Sequence, residues 1–226
     1  MSIAANIYAI NDQLRNDGVK LIAVSKTQPL DSIMEAYTAG QRIFGENTVQ
    51  ELVEKYEKLP KDIEWHLIGH LQSNKVKYII PFIHMIHSVD SLKLLQEINK
   101  QAIKNNRVID CLLQICIADE ETKFGLDFAE AIELLRSDEF TQLKNVKIRG
   151  VMGIATLSDN PRMTHDEFHE LKTFYIGLKE TFFRKDPDFT EISMGMSGDY
   201  KIALETGSTM IRLGSTLFGN RKTNRD

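Results

Sequence analysis

Leu21-Ile22-Ala23-Val24-Ser25-Lys26 is the stretch on which the reading of this chain turns. Five small or aliphatic residues form a strand pattern, and a helix pattern opens just after them. Alternation puts Ile22, Val24 and Lys26 on one face and Leu21, Ala23 and Ser25 on the other. A lysine that shares a face with buried aliphatics at the C-terminal end of a strand can project into a pocket. There its amine can lose a proton and attack a carbonyl. Most strand-end lysines are solvated charges, so the rest of the chain must supply the pocket.

Outward from this strand the same unit recurs. Strands are expected at 20–24, 42–44, 64–68, 85–88, 110–117, 147–152, 191–193 and 210–213. Apolar stripes at helical spacing lie between them: Leu30, Ile33, Met34 and Tyr37; Val49, Leu52, Val53 and Tyr56; Leu92, Leu95, Ile98 and Ile103; Ala129, Ile132 and Leu135; Phe168, Leu171, Tyr175 and Leu178. Eight alternating strand–helix units predict an α/β protein, a single (β/α)8 TIM-type barrel over 1–226. Residues 1–17 would add an N-terminal helix, with Ile3, Ile7, Ile10 and Leu14 at helical spacing, and 220–226 a flexible tail. A doubly wound open sheet is the competitor, but no Gly-x-Gly-x-x-Gly follows the first strand. The stretch 155–162 is expected to be a mobile loop after the sixth strand.

Bulk properties narrow the partners. The 226 residues include 28 Lys+Arg against 32 Asp+Glu, a formal net charge of -4. That balance offers no nucleic-acid footprint. No apolar run is long enough to span a bilayer, and the first sixteen residues lack the basic and apolar regions of a secretory signal. Cys111 and Cys116 fall in one expected strand, five residues apart, and so cannot pair. They read as core residues of a cytoplasmic protein.

In a barrel of this type the chemistry sits on the loops after the strands. The residues to weigh are therefore Lys26, Asn47, His70, Ser88, Asp119, the region of Gly153, Ser197 and Gly214. The strongest local signal is Ser193-Met194-Gly195-Met196-Ser197-Gly198-Asp199, which follows the seventh strand and precedes a helix at 200–205. Small residues let backbone amides approach an anion there. A second turn, Gly214-Ser215-Thr216, ends the eighth strand, and loops seven and eight are the usual phosphate site of barrels. Arg212 alternates with Ile211 and Leu213 and should point into the barrel mouth, where a charge needs a partner.

A phosphate cradle facing an inward lysine suggests a phosphorylated aldehyde. Pyridoxal 5'-phosphate fits both ends, with its aldehyde on Lys26 and its phosphate on Ser193, Ser197, Gly214 and Ser215. Arg212 near the pyridine nitrogen would keep that nitrogen unprotonated and the ring a weak electron sink.

The chain resembles the pyridoxal phosphate homeostasis protein family, whose fold is similar to the N-terminal barrel of alanine racemase. The matching stretches are Val24-Ser25-Lys26-Thr27, Phe44-Gly45-Glu46-Asn47 with Gln50-Glu51, Trp65 to Lys75, Ile86 to Ser91, Arg149 to Met152, and Ser193 to Gly219. The resemblance implies a Schiff base to the cofactor on Lys26, Asn47 near its ring, and the C-terminal block, Met194 included, around its phosphate. Gly153-Ile154-Ala155 departs from the family pattern, which has a threonine and a proline nearby. Alanine racemases carry a second domain that supplies a tyrosine base, and this sequence ends seven residues past Gly219. The expectation is therefore a protein that holds, buffers or delivers the cofactor with little or no catalysis. It would act as a monomer with apo enzymes dependent on pyridoxal phosphate as recipients. The alternative is a small amino-acid racemase using the same cofactor, with Tyr200 or His66 as second acid/base. A third class is a phosphosugar enzyme with an imine on Lys26.

No metal site is expected. His165 and His169 are four apart on a helix, but the order His-Asp-Glu-Phe-His lacks the glutamate that must follow the first histidine, and no third ligand is evident. His66 reads as a pocket wall or a satisfied core histidine, Trp65 as packed under the sheet, and Lys75 and Lys77 as a solvated helix face. The acidic neighbours of Lys179, Arg184 and Lys185 balance that cluster.

Overall fold

A computed structural model describes residues 2–15, 17–118 and 124–219. Asp119 and the expected tail at 220–226 lie outside the described residues. Eight parallel strands close into a barrel in sequence order: β1 (Lys20–Val24), β2 (Ile43–Glu46), β3 (Glu64–Leu67), β4 (Met85–Val89), β5 (Ile109–Gln114), β6 (Val146–Met152), β7 (Glu191–Met196) and β8 (Met210–Leu213). β8 pairs back onto β1, with Ile22 beside Arg212. The helices are α1 (Ile3–Leu14), α2 (Leu30–Thr38), α3 (Val49–Lys58), α4 (Val76–Ile79), α5 (Leu92–Lys104), α6 (Phe128–Arg136), α7 (Asp138–Thr141), α8 (Pro161–Thr181), α9 (Tyr200–Thr206) and α10 (Ser215–Phe218). None of them is long and apolar enough to cross a membrane.

The alternation read from the sequence becomes two separate cores. Leu21 and Ala23 belong to the shell between sheet and helices, together with Trp65, Cys111 and Met194. Ile22 faces inward and packs with Met85, Leu112, Met152 and Met210 as the plug of the barrel. A barrel interior is a packed core rather than a pore, so a functional site must sit above or below this plug.

β1 ends at Val24 as expected, and Lys26 lies in the turn closed by the Gln28 N–H on the Ser25 carbonyl at 3.0 Å. Three boundaries differ from the expectation in ways that bear on the loops. β5 ends at Gln114, so Cys116 lies beyond the strand and is only half-buried, while Cys111 is a core residue as expected. The N–H of Cys116 instead bonds to Leu126 across the loop. β7 continues to Met196 because a register shift against β8 absorbs one irregular step. Gly195 makes that shift possible: its φ is +94°, and a Cβ there would stand 2.5 Å from the Cβ of Ala203. Finally, Pro161 and Arg162 belong to α8, which starts with Asn160 as cap and Pro161 at its first position. The loop after β6 therefore spans 153–160 rather than reaching to 162.

Candidate functional site

A cavity of about 560 Å³ opens at the C-terminal mouth, directly above the plug. Lys26, Asn47, Ser197, Arg212, Gly214 and Ser215 all line it, with Val24, Ile68, Ile154 and Met196 as apolar wall. Six of the eight residues expected from the sequence therefore converge, although they come from four different strand ends. Ser193 does not line the cavity. It is wholly buried one layer below, where its Oγ accepts a hydrogen bond from Arg212 Nη1 at 2.7 Å. The side chain of Met194 does not reach the cavity either. Adjacent strand residues face opposite ways, and Met194 is buried on the helix-facing side.

The turn that carries Lys26 is held by a buried charge network on the outer side of the sheet. Lys55 on α3 donates through Nζ to the Ser25 carbonyl at 2.6 Å, to Glu46 at 2.7 Å and to Glu51 at 2.7 Å. Glu46 also accepts from Ser25 Oγ at 2.6 Å, and Glu51 accepts from the Thr27 N–H at 2.5 Å. Thr27 has a φ of +65°, a conformation unfavourable for a β-branched residue, and the Glu51 contact holds its backbone in place. Burial pushes the Glu46 carboxyl up from its usual range, and the adjacent Lys55 charge opposes that shift. The sequence held one hint of this device: Ser25 shares the outward face of its strand, where a hydroxyl needs a buried partner.

Arg212 is the second cation lining the cavity. It is 4 % exposed, and besides its bond to Ser193 it donates from Nη2 to the Gly153 carbonyl at 3.0 Å. Among the described residues no carboxylate reaches ion-pair distance of it. Burial lowers its pKa to about 10, so it remains protonated at neutral pH. Below it a chain of buried polar groups continues through the plug. Ser193 Oγ lies 3.0 Å from His87 Nδ1, and His87 Nε2 lies 2.9 Å from His66 Nδ1. Desolvation lowers the pKa of both imidazoles well below the usual histidine value, which keeps them neutral. His66 is therefore not a pocket wall. His87 was legible only as a strand residue.

Of the residues expected to form an anion cradle, Ser197, Gly214 and Ser215 meet at one edge of the cavity. Ser197 Oγ accepts from the backbone N–H groups of Gly214 and Thr216, both at 3.2 Å, which ties loop seven to loop eight beneath the cavity edge. Asn47 is placed by a close approach of backbone. A Cβ at position 69 would stand 2.3 Å from the Asn47 carbonyl oxygen, so only glycine lets β3 and the end of β2 meet there. Ile154 lines the cavity where the sequence departed from the family pattern, and the loop behind it is pinned by the Thr156 N–H on Glu167 at 2.8 Å.

The remaining candidates lie elsewhere. His165 and His169 are exposed on α8. Tyr200 Oη contacts Gln13 at 3.5 Å and does not line the cavity. Lys75 borders a small groove against α3 with Glu54 and Glu57. His70 is half-exposed and sits 3.1 Å from Asp90.

Barrel, cavity and cradle together define a class, the alanine racemase N-terminal domain, whose family model matches residues 1–222. A pyridoxal phosphate homeostasis protein of Aquifex aeolicus is 42% identical over 205 residues, covering 90% of this chain and 87% of its own. One from Vibrio alginolyticus is 40% identical over 235 residues, covering 97% and 98%. The solved structure of PipY from Synechococcus elongatus PCC7942 with pyridoxal phosphate bound is 39% identical, with a TM-score of 0.86 over 96% of this chain and 100% of that one. The chain belongs to the pyridoxal phosphate homeostasis protein family.

Proposed function

We propose that the protein binds pyridoxal 5'-phosphate at the C-terminal mouth, held on Lys26 as a Schiff base, and buffers it or delivers it to apo enzymes in the cytoplasm. It works as a monomer with little or no catalysis of its own. One observation carries the last point. Among the described residues, Lys26 and Arg212 are the only titratable side chains lining the cavity. Racemisation needs a second acid/base opposite the lysine, and neither Tyr200 nor His66 reaches the cavity.

The residues fit the cofactor. A cavity of about 560 Å³ lies within the usual range for small-molecule sites. When bound, the cofactor supplies an electrophilic aldehyde carbon and a ring that can draw off electrons. Lys26 anchors the aldehyde end. Ser197, Gly214 and Ser215 take the phosphate, Asn47 borders the ring, and Arg212 donates to the ring nitrogen. A permanently protonated donor at that nitrogen withholds the proton that would make the ring a strong electron sink. The network through Ser25, Glu46, Glu51 and Lys55 fixes the direction from which the Lys26 amine approaches.

The test is a visible absorbance spectrum before and after borohydride reduction, with peptide mapping of the reduced protein. The label should map to Lys26, and the band should vanish in Lys26→Ala. An unchanged band in that variant would overturn the assignment. Conversion of L-alanine to D-alanine well above that of the cofactor alone, abolished by the same substitution, would replace delivery with racemisation.

A further inference from the structure

The opposite mouth of the barrel holds a second group of ligand-type residues. Glu64 opens β3, His66 lies two residues further along the same face, and His84 immediately precedes β4. One donor atom from each lies within 4.8 Å of the others. We propose that Glu64, His66 and His84 form a binding site for a first-row divalent transition metal, zinc above all, at the N-terminal mouth.

Two independent observations meet here. The first is the donor set. Two imidazoles and one carboxylate suit a borderline divalent ion and leave a coordination position open to water. Tetrahedral zinc holds its ligands about 3.4 Å apart, given metal–ligand bonds near 2.0–2.1 Å. His84 Nε2 and Glu64 Oε2 already stand 3.6 Å apart, and both side chains are about half-exposed, so they can close on an ion by rotating.

The second is His66 itself. It is 1 % exposed, and its Nε2 is buried with no hydrogen-bond partner, while Nδ1 is engaged by His87 at 2.9 Å. Either tautomer leaves Nε2 unsatisfied: one buries an N–H without an acceptor, the other a lone pair without a donor. A metal on Nε2 resolves this. It selects the tautomer in which Nδ1–H donates to His87 Nε2, and His87 Nδ1–H in turn donates to Ser193 Oγ. A ligating imidazole whose second nitrogen donates to a buried acceptor is the arrangement metal sites favour. Lys20, the lysine on the same mouth, is paired with Glu191 at 2.5 Å.

The site is distinct from the cofactor cavity, so its test is independent of the proposed function. Zinc chloride is titrated calorimetrically into the full-length protein, and cobalt is used as a visible-band probe of the same site. One zinc per chain should bind. His84→Ala and Glu64→Gln, both at half-exposed positions that tolerate change, should each weaken it at least about tenfold. His169→Ala should leave it unaltered, since that residue belongs to the exposed pair on α8. The proposal is overturned if no zinc binds, if His84→Ala and Glu64→Gln bind zinc as wild type does, or if His169→Ala abolishes binding.

Discussion

At the N-terminal mouth of the barrel, Lys20 pairs with Glu191, Lys147 with Asp188, and Arg149 with both Asp110 and Asp188. At the C-terminal mouth, Arg212 is buried against a hydroxyl and a carbonyl, and among the described residues no carboxylate is near enough to pair. The two ends share one sheet and one plug, yet they treat charge differently. Cations towards the strand starts are paired with the protein's own acids, and Lys20 and Lys147 remain partly open to water. The cation at the end of β8 is desolvated, donates to a hydroxyl and a carbonyl, and lines a cavity. The Lys26 turn shows the same division of labour, because its supporting charges are buried behind it rather than inside the cavity.

Three substitutions sharpen or break this contrast. The largest effect is expected for Lys55→Ala. It leaves Glu46, which is wholly buried, without its counter-charge, and should cost about 3 kcal/mol in urea unfolding. The folded-state pKa of Glu46 is already raised, so the loss should grow as pH rises above the ordinary carboxylate range and the group is forced to ionise. A cost under about 1 kcal/mol would show that the network is no platform. Next comes Arg212→Ala, which should weaken cofactor retention at least tenfold, about 1.4 kcal/mol, in an absorbance titration. Unchanged affinity would remove Arg212 from the ring. The smallest effect belongs to Lys20→Ala, whose ion pair is half-exposed on the lysine side. It should cost less than about 1 kcal/mol and leave cofactor binding as in wild type. If it costs as much as Lys55→Ala, the distinction between the two mouths fails.

Much of the fold was legible because the barrel's rules are local. Each strand announces itself by aliphatic residues with a small or polar residue at its end, and each helix by an apolar stripe. Errors fell where tertiary contacts override such patterns. β5 was read to Ile117, but its pairing with β6 ends at Gln114, and the chain turns to bridge Ile115 with Leu126. Cys116 was therefore misplaced. Met194 was drawn into the site by its neighbours Ser193 and Ser197, although alternation alone puts it on the outer face. The Glu46–Lys55 pair and the His66–His87–Ser193 chain were invisible as such, because their partners come from separate elements and nothing in any one element marks the other.

The sequence by itself determined the alternation of strands and helices, the inward face of β1, and the glycine- and serine-rich turns after β7 and β8, since these depend on periodicity and on backbone preferences of single residues. Only the closed barrel decided that Lys26 and Arg212 share a cavity, that Ser193 supports the arginine from below, and that three ligand-type residues meet at the opposite mouth. Closure through the β1–β8 pairing brings residues close to 190 positions apart to within a ligand's reach. Desolvation inside the barrel then determines which of the polar groups gathered there need a partner from outside.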